Sequence, residues 1–501
     1  MNKILSSALI CLCINMAYSN NITVSNVTLT GQNLVDEYTY IQFDLSWENS
    51  WRIDYGPANW DAAWVFAKVR LENGDWQHVN LAYVDGTAAN DGHIEPVGCT
   101  ISTYDNGLGD GTGAMIYRSA NGTGTVNFIS IQLKWYYVDN GINPNDVVDV
   151  QVFAIEMVYV PQGSYYLGGI GTEVAQFYAG AKSENTIYEV ASEAAITISN
   201  TVNNLYYEVG LNGGDQTGAL SANYPKGYQA FYCMKYEASQ GQWVAFFNTL
   251  TNTQKSNLDI TDANHKNSDG VVNRNSISWG GGAGSASTTT EDRPVNFVGA
   301  DFINAYLDWS GLRPMTELEY EKASRGIKYP VANELACGTG SYNGSTNYII
   351  SNDGATNEMV SNPQIGTGNV LCAFNNGGYS GPFRVGIFAA SAINKTREET
   401  GGSYYGIMEL SGNLNEVCVT VGNSTGRSFT GGHGDGILAA NGQSNVALWP
   451  SNADGTGYGL RGGSWSNADL VLIEVSRRIH AATSPGDGSN RTGFRGVRTA
   501  Q

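Results

Sequence analysis

The chain has 501 residues, enough for two or three domains, and only 15% of them are charged. Acidic residues outnumber basic ones 46 to 27, which gives a formal net charge of −19 at pH 7. Such a surface repels phosphate backbones, so nucleic acid is excluded as a partner. Apolar residues still reach 42%, beside 62 glycines and 29 tyrosines, and this indicates an extracellular, loop-rich β protein rather than a disordered chain.

Residues 1–19 have the pattern of a signal peptide. Lys3 provides the positive start, residues 4–16 form the apolar stretch, and Ala17-Tyr18-Ser19 matches a small-x-small cleavage site. The apolar stretch is shorter than the ~18–20 residues that span a bilayer, and no later segment is long and apolar enough to do so. We therefore predict a mature protein that is secreted, either extracellular or at the cell surface, with no membrane span.

Export makes disulfides permissible. The cysteines after the signal peptide are Cys99, Cys233, Cys337, Cys372 and Cys418. The odd number leaves at least one thiol unpaired. Cys337 and Cys372 are a candidate pair across an insertion, and buried thiols are the alternative for any pair.

Residues 20–155 are predicted to form an all-β sandwich. Residues 41–47, 129–135 and 148–152 alternate apolar and polar side chains, which is the pattern of half-buried strands. Residues 64–71 form another strand, and residues 76–81 return from the turn at Asn73-Gly74 as its hairpin partner.

Two features of this region have alternative interpretations. The Gly/Asp-rich loop at residues 105–113 is either a calcium site or plain turn chemistry. Tryptophans of the predicted strands are either core and strand-face residues or a sugar-binding platform. They are Trp47, Trp51, Trp60, Trp64 and Trp76.

Residues 156–501 are predicted to form a second domain that follows the last strand without a flexible linker. Ser239 can cap a first helix, and Phe302 and Trp309 lie on the apolar face of a second helix that stops at Gly311. Thr316-Glu-Leu-Glu319 is a capping box that opens a third helix.

Six motifs follow one another in this second domain. They are MVYVPQGSYYLGG at 157–169, FYCMKYE at 231–237, RPV at 293–295, LRPMTELEYEKASRG at 312–326, GNLNE at 412–416, and RGGSW…SRR…GFR at 461–495. In this order they resemble the formylglycine-generating enzyme (sulfatase-modifying factor) family, whose fold is loop-rich and C-type-lectin-like. The predicted fold class is therefore α+β, with an N-terminal all-β sandwich followed by this domain.

The resemblance also speaks to activity. Family members that oxidise a substrate cysteine carry two copper-binding cysteines just after the Gly-Gly-Ser-aromatic stretch. By simple spacing these positions are Asn467 and Leu472 here, and no cysteine follows Cys418. Neither side chain replaces a thiolate as a ligand for Cu(I). We therefore predict that the protein is not an enzyme, and the missing pair opposes a copper-dependent formylglycine-generating oxidase.

The resemblance implies two structural features as well. Cys233 and Cys418 lie on motif strands that pack near each other in the family fold, which favours a disulfide between them. Asn413 and Glu416 match a loop that supplies oxygen ligands to a structural calcium, the only cofactor expected. The alternative is that Glu416 pairs with one of the arginines Arg461, Arg477 and Arg478.

Between Trp465 and Gly493 the resemblance places an open groove, which in enzymes is the active site. Its candidate binding residues are Ser466, Asn467, Asp469, His480, Asn490 and Arg491. Short amides and hydroxyls suit adaptable hydrogen bonding. The leading hypothesis is a secreted, non-catalytic subunit of a surface filament or sheath, and the alternative is a ligand-binding receptor or adhesin. The expected partners are another protein, a second copy of the chain, or a glycan.

Overall fold

The structure is a computed structural model that describes residues 21–182, 186–210, 213–343, 347–372, 378–466 and 470–501. The predicted signal peptide, residues 1–19, lies outside the described residues. The fold is α+β and mainly β, because 29% of the residues are in strands and 13% in helices. None of the helices in the described ranges is long and apolar enough to cross a bilayer.

The strands are numbered in chain order. They are β1 (Thr23–Asn33), β2 (Tyr38–Arg52), β3 (Asp61–Leu71), β4 (Gln77–His78), β5 (Cys99–Asp105), β6 (Gly111–Arg118), β7 (Gly122–Trp135), β8 (Val148–Val160), β9 (Tyr165–Leu167), β10 (Tyr178–Ala179), β11 (Tyr188–Val190), β12 (Leu205–Tyr206), β13 (Phe231–Met234), β14 (Arg313–Pro314), β15 (Ile350–Ser351), β16 (Met359–Val360), β17 (Asn415–Val419), β18 (Tyr458–Arg461), β19 (Thr492–Gly493) and β20 (Gly496–Thr499).

The helices are short. They are α1 (Ala88–Asp91), α2 (Gln240–Phe247), α3 (Asn252–Asn257), α4 (Ala300–Trp309), α5 (Glu317–Arg325), α6 (Ile387–Ser391), α7 (Arg397–Thr400) and α8 (Ser424–Arg427). Short 3-10 turns cover Tyr137–Asn140 and Leu470–Ile473.

The alternating strands predicted in the N-terminal region are confirmed. In β2 the side chains of Ile41, Phe43, Leu45 and Trp47 are fully buried, whereas the residues between them are half-exposed. This strand lies between β1 and β7 in a three-stranded antiparallel sheet. Its buried face belongs to the same apolar core as the side chains of β3 and β8.

The predicted hairpin after β3 is also present, but its second strand is only the two-residue β4. In the loop between β5 and β6, the Asp105 carboxylate accepts from the backbone N–H groups of Gly107 and Gly109. That is the hydrogen bonding of a tight Asx-type turn.

An eight-stranded antiparallel sheet connects the two halves of the chain. Its order is β14-β20-β13-β8-β3-β6-β5, with β4 paired to β3. Strand β8 pairs along its whole length with β3, and its last residues pair with β13 on the other side. The boundary predicted at 155/156 therefore falls inside a continuous strand that both halves share.

Side chains reinforce this shared sheet. The Trp309 ring at the end of α4 packs edge-on against Phe66 of β3 and Phe153 of β8, with ring centroids 5.0 and 4.9 Å away. The Trp64 indole donates to the Ser310 carbonyl at 2.7 Å. The guanidinium of Arg498 in β20 lies 4.5 Å from the same indole. Both ends of the chain therefore contribute to one core.

The three predicted helices are confirmed as α2, α4 and α5. Ser239 and Gln242 form a capping box at α2, and Thr316 and Glu319 form another at α5. Helix α4 ends just before Gly311, whose φ of +72° suits glycine.

The predicted disulfides are wrong for this structure, since the five cysteines of the described residues are buried thiols. Cys233 and Cys418 share one apolar cluster, but they lie on different sheets, and the Cys233 thiol points along its own strand to the Met234 carbonyl. Cys337 and Cys372 share another small cluster in the same thiol form. Burial raises the pKa of Cys233 to about 12 and that of Cys337 to about 11, so the thiolate needed for exchange is disfavoured.

Candidate functional site

The predicted groove is built around a small sheet. Strand β17 pairs antiparallel with β18 and parallel with β19, so Glu416 lies opposite both Arg461 and Gly493. A Cβ on Gly493 would come 2.7 Å from the Leu414 side chain. Glycine at 493 therefore allows the closing segment to lie directly against the GNLNE loop.

Trp465 connects the GNLNE motif with two parts of the closing motif. It follows Gly462 and Gly463, whose φ values of +76° and +67° turn the chain out of β18. Its backbone N–H donates to the Asn413 carbonyl at 2.7 Å, and its indole N–H donates to the Asn490 carbonyl at 2.8 Å. Trp465 is thus buried, and its two hydrogen bonds hold residue 490 close to the GNLNE loop.

Against this loop lies a buried carboxylate, Glu237. It accepts from the Asn413 amide at 2.5 Å and from the Leu414 backbone N–H at 2.8 Å. The Asn413 side-chain oxygen in turn accepts from the Phe383 backbone N–H at 2.9 Å. Both ends of the Asn413 amide are therefore engaged in protein hydrogen bonds.

Glu416 is also engaged, by Arg495, which donates to it at 2.5 Å and to the Lys235 carbonyl at 2.9 Å. The Asn413 amide is thus taken up by the protein, whereas the second oxygen of Glu416, Oε2, is buried without a hydrogen-bond partner among the described residues. No set of three or more His, Cys, Asp and Glu side chains in the described ranges is arranged for a metal, and the calcium site stays a prediction.

Arg495 acts on three buried carboxyl groups, and one of them, Glu409, is also influenced by Arg384. Burial raises the pKa of Glu237 well above its ordinary value; Arg495 opposes the shift, and Glu416 and Glu409 add to it. Burial likewise raises the pKa of Glu416 and raises that of Glu409 to about 7. Burial and the mutual repulsion of these carboxyls therefore raise all three pKa values despite the nearby arginines.

A second buried network supports β18 from the other side. The Arg478 guanidinium donates to both oxygens of Glu317, at 2.7 and 2.9 Å, and it lies over the rings of Phe177 and Tyr207. Arg461 reaches the same Glu317 at 2.7 Å.

This arrangement corrects the predicted alternative for Glu416, because none of the three arginines considered is its partner. Arg461 and Arg478 hold Glu317, and Arg477 pairs with Glu474 at 3.3 Å. Burial alone would raise the pKa of Glu317, but Arg478 and Arg461 overcome it and lower that pKa.

Residues 151–500 match the family described as the sulfatase-modifying factor enzyme 1-like domain, which covers more than half of the chain. The chain belongs to this family. A comparison with curated proteins finds no match.

The structure brings only part of the predicted binding set to the groove of the family domain. Ser466 follows Trp465, Asn490 accepts from its indole, and the Arg491 carbonyl accepts from the Asn415 backbone N–H at 2.8 Å. The Arg491 side chain is exposed. Asn467 and Asp469 lie outside the described residues.

His480 lies at a different place in the family domain. Its carbonyl accepts from the Leu460 backbone N–H at 2.8 Å, so it borders the outer edge of β18. Half-burial and the nearby Arg477 lower the pKa of its imidazole. His480 thus borders β18, and its place among the groove residues stays a prediction.

Sequence reasoning quoted the motifs that contain Glu237 and Arg495 but gave neither side chain a role, and it missed Glu409 altogether. For Glu237 and Arg495, the sequence does contain a signal of a buried ion pair. A charged residue that follows an apolar strand motif, such as Glu237 after Phe231-Tyr-Cys-Met, would be costly to bury without a partner. The partner lies far away in sequence.

Proposed function

We propose that the chain is a secreted, non-catalytic member of the family. Its C-type-lectin-like domain binds a macromolecular partner, and its N-terminal β-sandwich displays that domain. The leading form is a subunit of a surface filament or sheath, in which the partner is a second copy of the chain.

One observation carries this proposal. At the two positions where the resemblance implies copper-binding cysteines, the chain has Asn467 and Leu472, and no cysteine follows Cys418. A thiolate is the ligand that selects Cu(I). The cysteines of the described ranges are buried, and burial raises the pKa of Cys418 as it does those of Cys233 and Cys337. These thiols are poorly suited to replace the missing pair.

The groove itself supports binding rather than proton transfer. Its buried charged groups, Glu237, Glu416 and Arg495, are held by protein contacts, so they are not directed at a substrate. At the surface remain the half-buried Asn490 amide and the exposed Arg491 guanidinium, whereas the Ser466 hydroxyl oxygen is buried. Small polar groups on a fixed frame suit an interface with another protein. The low charge content favours close packing of subunits.

A receptor or adhesin that binds a separate ligand is the second candidate, because the same exposed Arg491 would serve it equally well. Negative-stain microscopy of the purified mature protein separates the two. Ordered polymers support the filament subunit, and monodisperse particles that capture a partner support the receptor.

Two measurements test what the filament-subunit and receptor hypotheses have in common: the absence of oxidase activity and an interface that includes Arg491. Incubation with copper and a CxPxR-type peptide should yield no formylglycine above a no-protein control by mass spectrometry. Arg491→Ala should weaken assembly or partner binding while the melting temperature stays unchanged. Lys328→Ala is the matched control, since this exposed lysine packs over Tyr404 instead. Formylglycine production would overturn the non-catalytic assignment, and an Arg491→Ala protein that assembles or binds like Lys328→Ala would move the interface elsewhere.

A further inference from the structure

A cavity of about 390 Å³ lies where the N-terminal region meets the family domain, and we call it the seam cavity. Lys68, Trp76 and His78 line it from the N-terminal side, and Trp309 and Ile437 line it from the family domain. It is separate from the groove at Trp465. Its volume lies within the range of small-ligand sites, near the lower end.

An unusual lysine lies at the floor of the seam cavity. Lys68 is 2% exposed, and its ammonium donates to the carbonyls of Trp309 and Gly436 at 2.9 and 2.8 Å. Asp308 and Asp435 act on it only at longer range, and no carboxylate of the described residues forms an ion pair with it. An ammonium has three donors, so one N–H is left for another acceptor.

His78 lies beside this lysine with the opposite hydrogen-bonding capacity. The two residues are cross-strand neighbours in β3 and β4, and Gly436 contacts both. His78 Nε2 is 2.6 Å from the Thr112 carbonyl, which only accepts, so Nε2 carries the proton and Nδ1 is an acceptor. That Nδ1 has no hydrogen-bond partner among the described residues, but it is buried against the backbone of Gly436 and does not open to the cavity.

The charges around the seam cavity select against ions of either sign. Asp75 and Asp139 lie at its mouth, and Asp308 and Asp435 lie behind its floor, so an anion is disfavoured. Burial lowers the pKa of Lys68 to about 7, so at neutral pH the amine is protonated in part of the molecules, and there it disfavours a cation. The ligand chemistry that remains is neutral.

The remaining Lys68 donor and the side-chain amides of Gln77, Asn80 and Gln254 in the lining match hydroxyl groups, which both accept and donate. Several hydroxyls on one edge and an apolar C–H face on the other are the features of a sugar ring. Trp76 offers an aromatic face at the wall, with Arg70 packed 4.6 Å from its ring, and Ile437 is 57% exposed beside it. Aromatic side chains are suited to such amphipathic ligands.

We propose that the seam cavity binds a neutral saccharide of one or two rings. Its hydroxyls contact Lys68 and the lining amides of Gln77, Asn80 and Gln254, and its apolar face packs on Trp76. Both halves of the chain contribute, so the site exists only where the N-terminal region is joined to the family domain. The inference does not depend on the proposed function, because no residue of the Trp465 groove takes part.

The test uses the full mature chain and a panel of neutral sugars: glucose, galactose, N-acetylglucosamine and their common disaccharides. Glucuronate and inorganic phosphate are the anionic comparators. Tryptophan fluorescence and titration calorimetry measure the Kd, with sugar up to about 10 mM. We expect saturable binding of at least one neutral sugar and weaker or no binding of the two anions.

Variants then locate the site. Trp76→Ala should raise the Kd about tenfold or more, equivalent to about 1.4 kcal/mol, and Lys68→Met should also weaken binding. Tyr55→Ala removes an aromatic ring that is 73% exposed outside the cavity and should leave the Kd unchanged. Melting temperatures establish that each variant is folded, and Trp76→Ala alone carries the test if Lys68→Met does not fold. The proposal is overturned if no neutral sugar binds, if an anion binds more tightly, or if Trp76→Ala binds like the parent.

Discussion

Glu409 is the buried carboxyl whose titration the structure makes easiest to test. Both of its oxygens accept from the Gly386 backbone N–H, at 3.0 and 3.1 Å, and the residue is 5% exposed. Burial is the largest cause that raises its pKa to about 7; Gly386, Arg495 and Arg384 oppose it, and Glu416 adds to it. The ordinary pKa of this group is 4.5.

The direction of the pH effect follows from these two values. Between pH 4.5 and about 7 the folded state keeps a proton on Glu409 that the unfolded chain has lost. The contribution of this proton to stability is complete below pH 4.5 and is lost as the pH rises through 7. At about 1.4 kcal/mol for each pKa unit, the free energy of unfolding falls by about 3 kcal/mol across this window.

Glu409→Gln replaces the carboxyl with a neutral isostere that still accepts from Gly386. We expect the variant to match the parent near pH 4.5 and to exceed its free energy of unfolding by about 3 kcal/mol above pH 7. Denaturant unfolding followed by tryptophan fluorescence from pH 4.5 to 8 measures the difference. Neighbouring Glu237 and Glu416 titrate in both proteins, so the difference reports the titration of Glu409 together with its coupling to these two groups.

Glu189→Gln is the matched control, because Glu189 is exposed and should follow the parent at every pH. Curves for Glu409→Gln and the parent that stay parallel across the window would refute the reasoning. So would a variant that is less stable than the parent at pH 7.

Three further predictions concern the cysteines, the second ion-pair network and the glycine turn. Without reductant, a thiol reagent should label none of the five cysteines after the signal peptide in the native protein and all five after denaturation; fewer than five would indicate a disulfide. Arg478→Met removes a cation from the buried Glu317, and we expect it to lower the free energy of unfolding, measured with denaturant, by about 3–5 kcal/mol. Arg477→Met, at a half-buried site, should lower it by about 1 kcal/mol or less. Gly463→Ala places a Cβ 2.8 Å from Ile473 and should lower the melting temperature more than Gly281→Ala, which has a positive φ but open space around it; equal shifts would mean that the close contact is unimportant.

Local patterns made the helices and strands predictable. Ser239 and Thr316 each bond within three residues, and the alternation in β2 depends only on neighbours in the sequence. The partners of buried charges were not predictable in this way. Arg495 reaches Glu416 from 79 residues away, and Asn413 reaches Glu237 from 176.

The reason is geometric. Which arginine faces Glu416 depends on the parallel pairing of β17 with β19, and nothing in the spacing of the motifs encodes that register. The disulfide prediction was wrong for a related reason: the strands that carry Cys233 and Cys418 were expected to lie near each other, and the cysteines do share a cluster, but closeness does not fix thiol orientation. His480 shows the same limit, since its position in the motif did not reveal which side of β18 it borders.

The shared sheet also constrains the order in which the molecule can be assembled. Strand β8 can pair with β3 as soon as both are made, but its other edge is completed only by β13, which begins at Phe231, and β13 is covered in turn by β20 at Gly496. Until then an apolar edge that includes Val158 and Val160 stays open to pairing with any other chain. Such long-range closure is slow, and it exposes the intermediate to aggregation. The same pairing that joins the two regions in the finished protein thus makes the half-made chain dependent on protection while it folds.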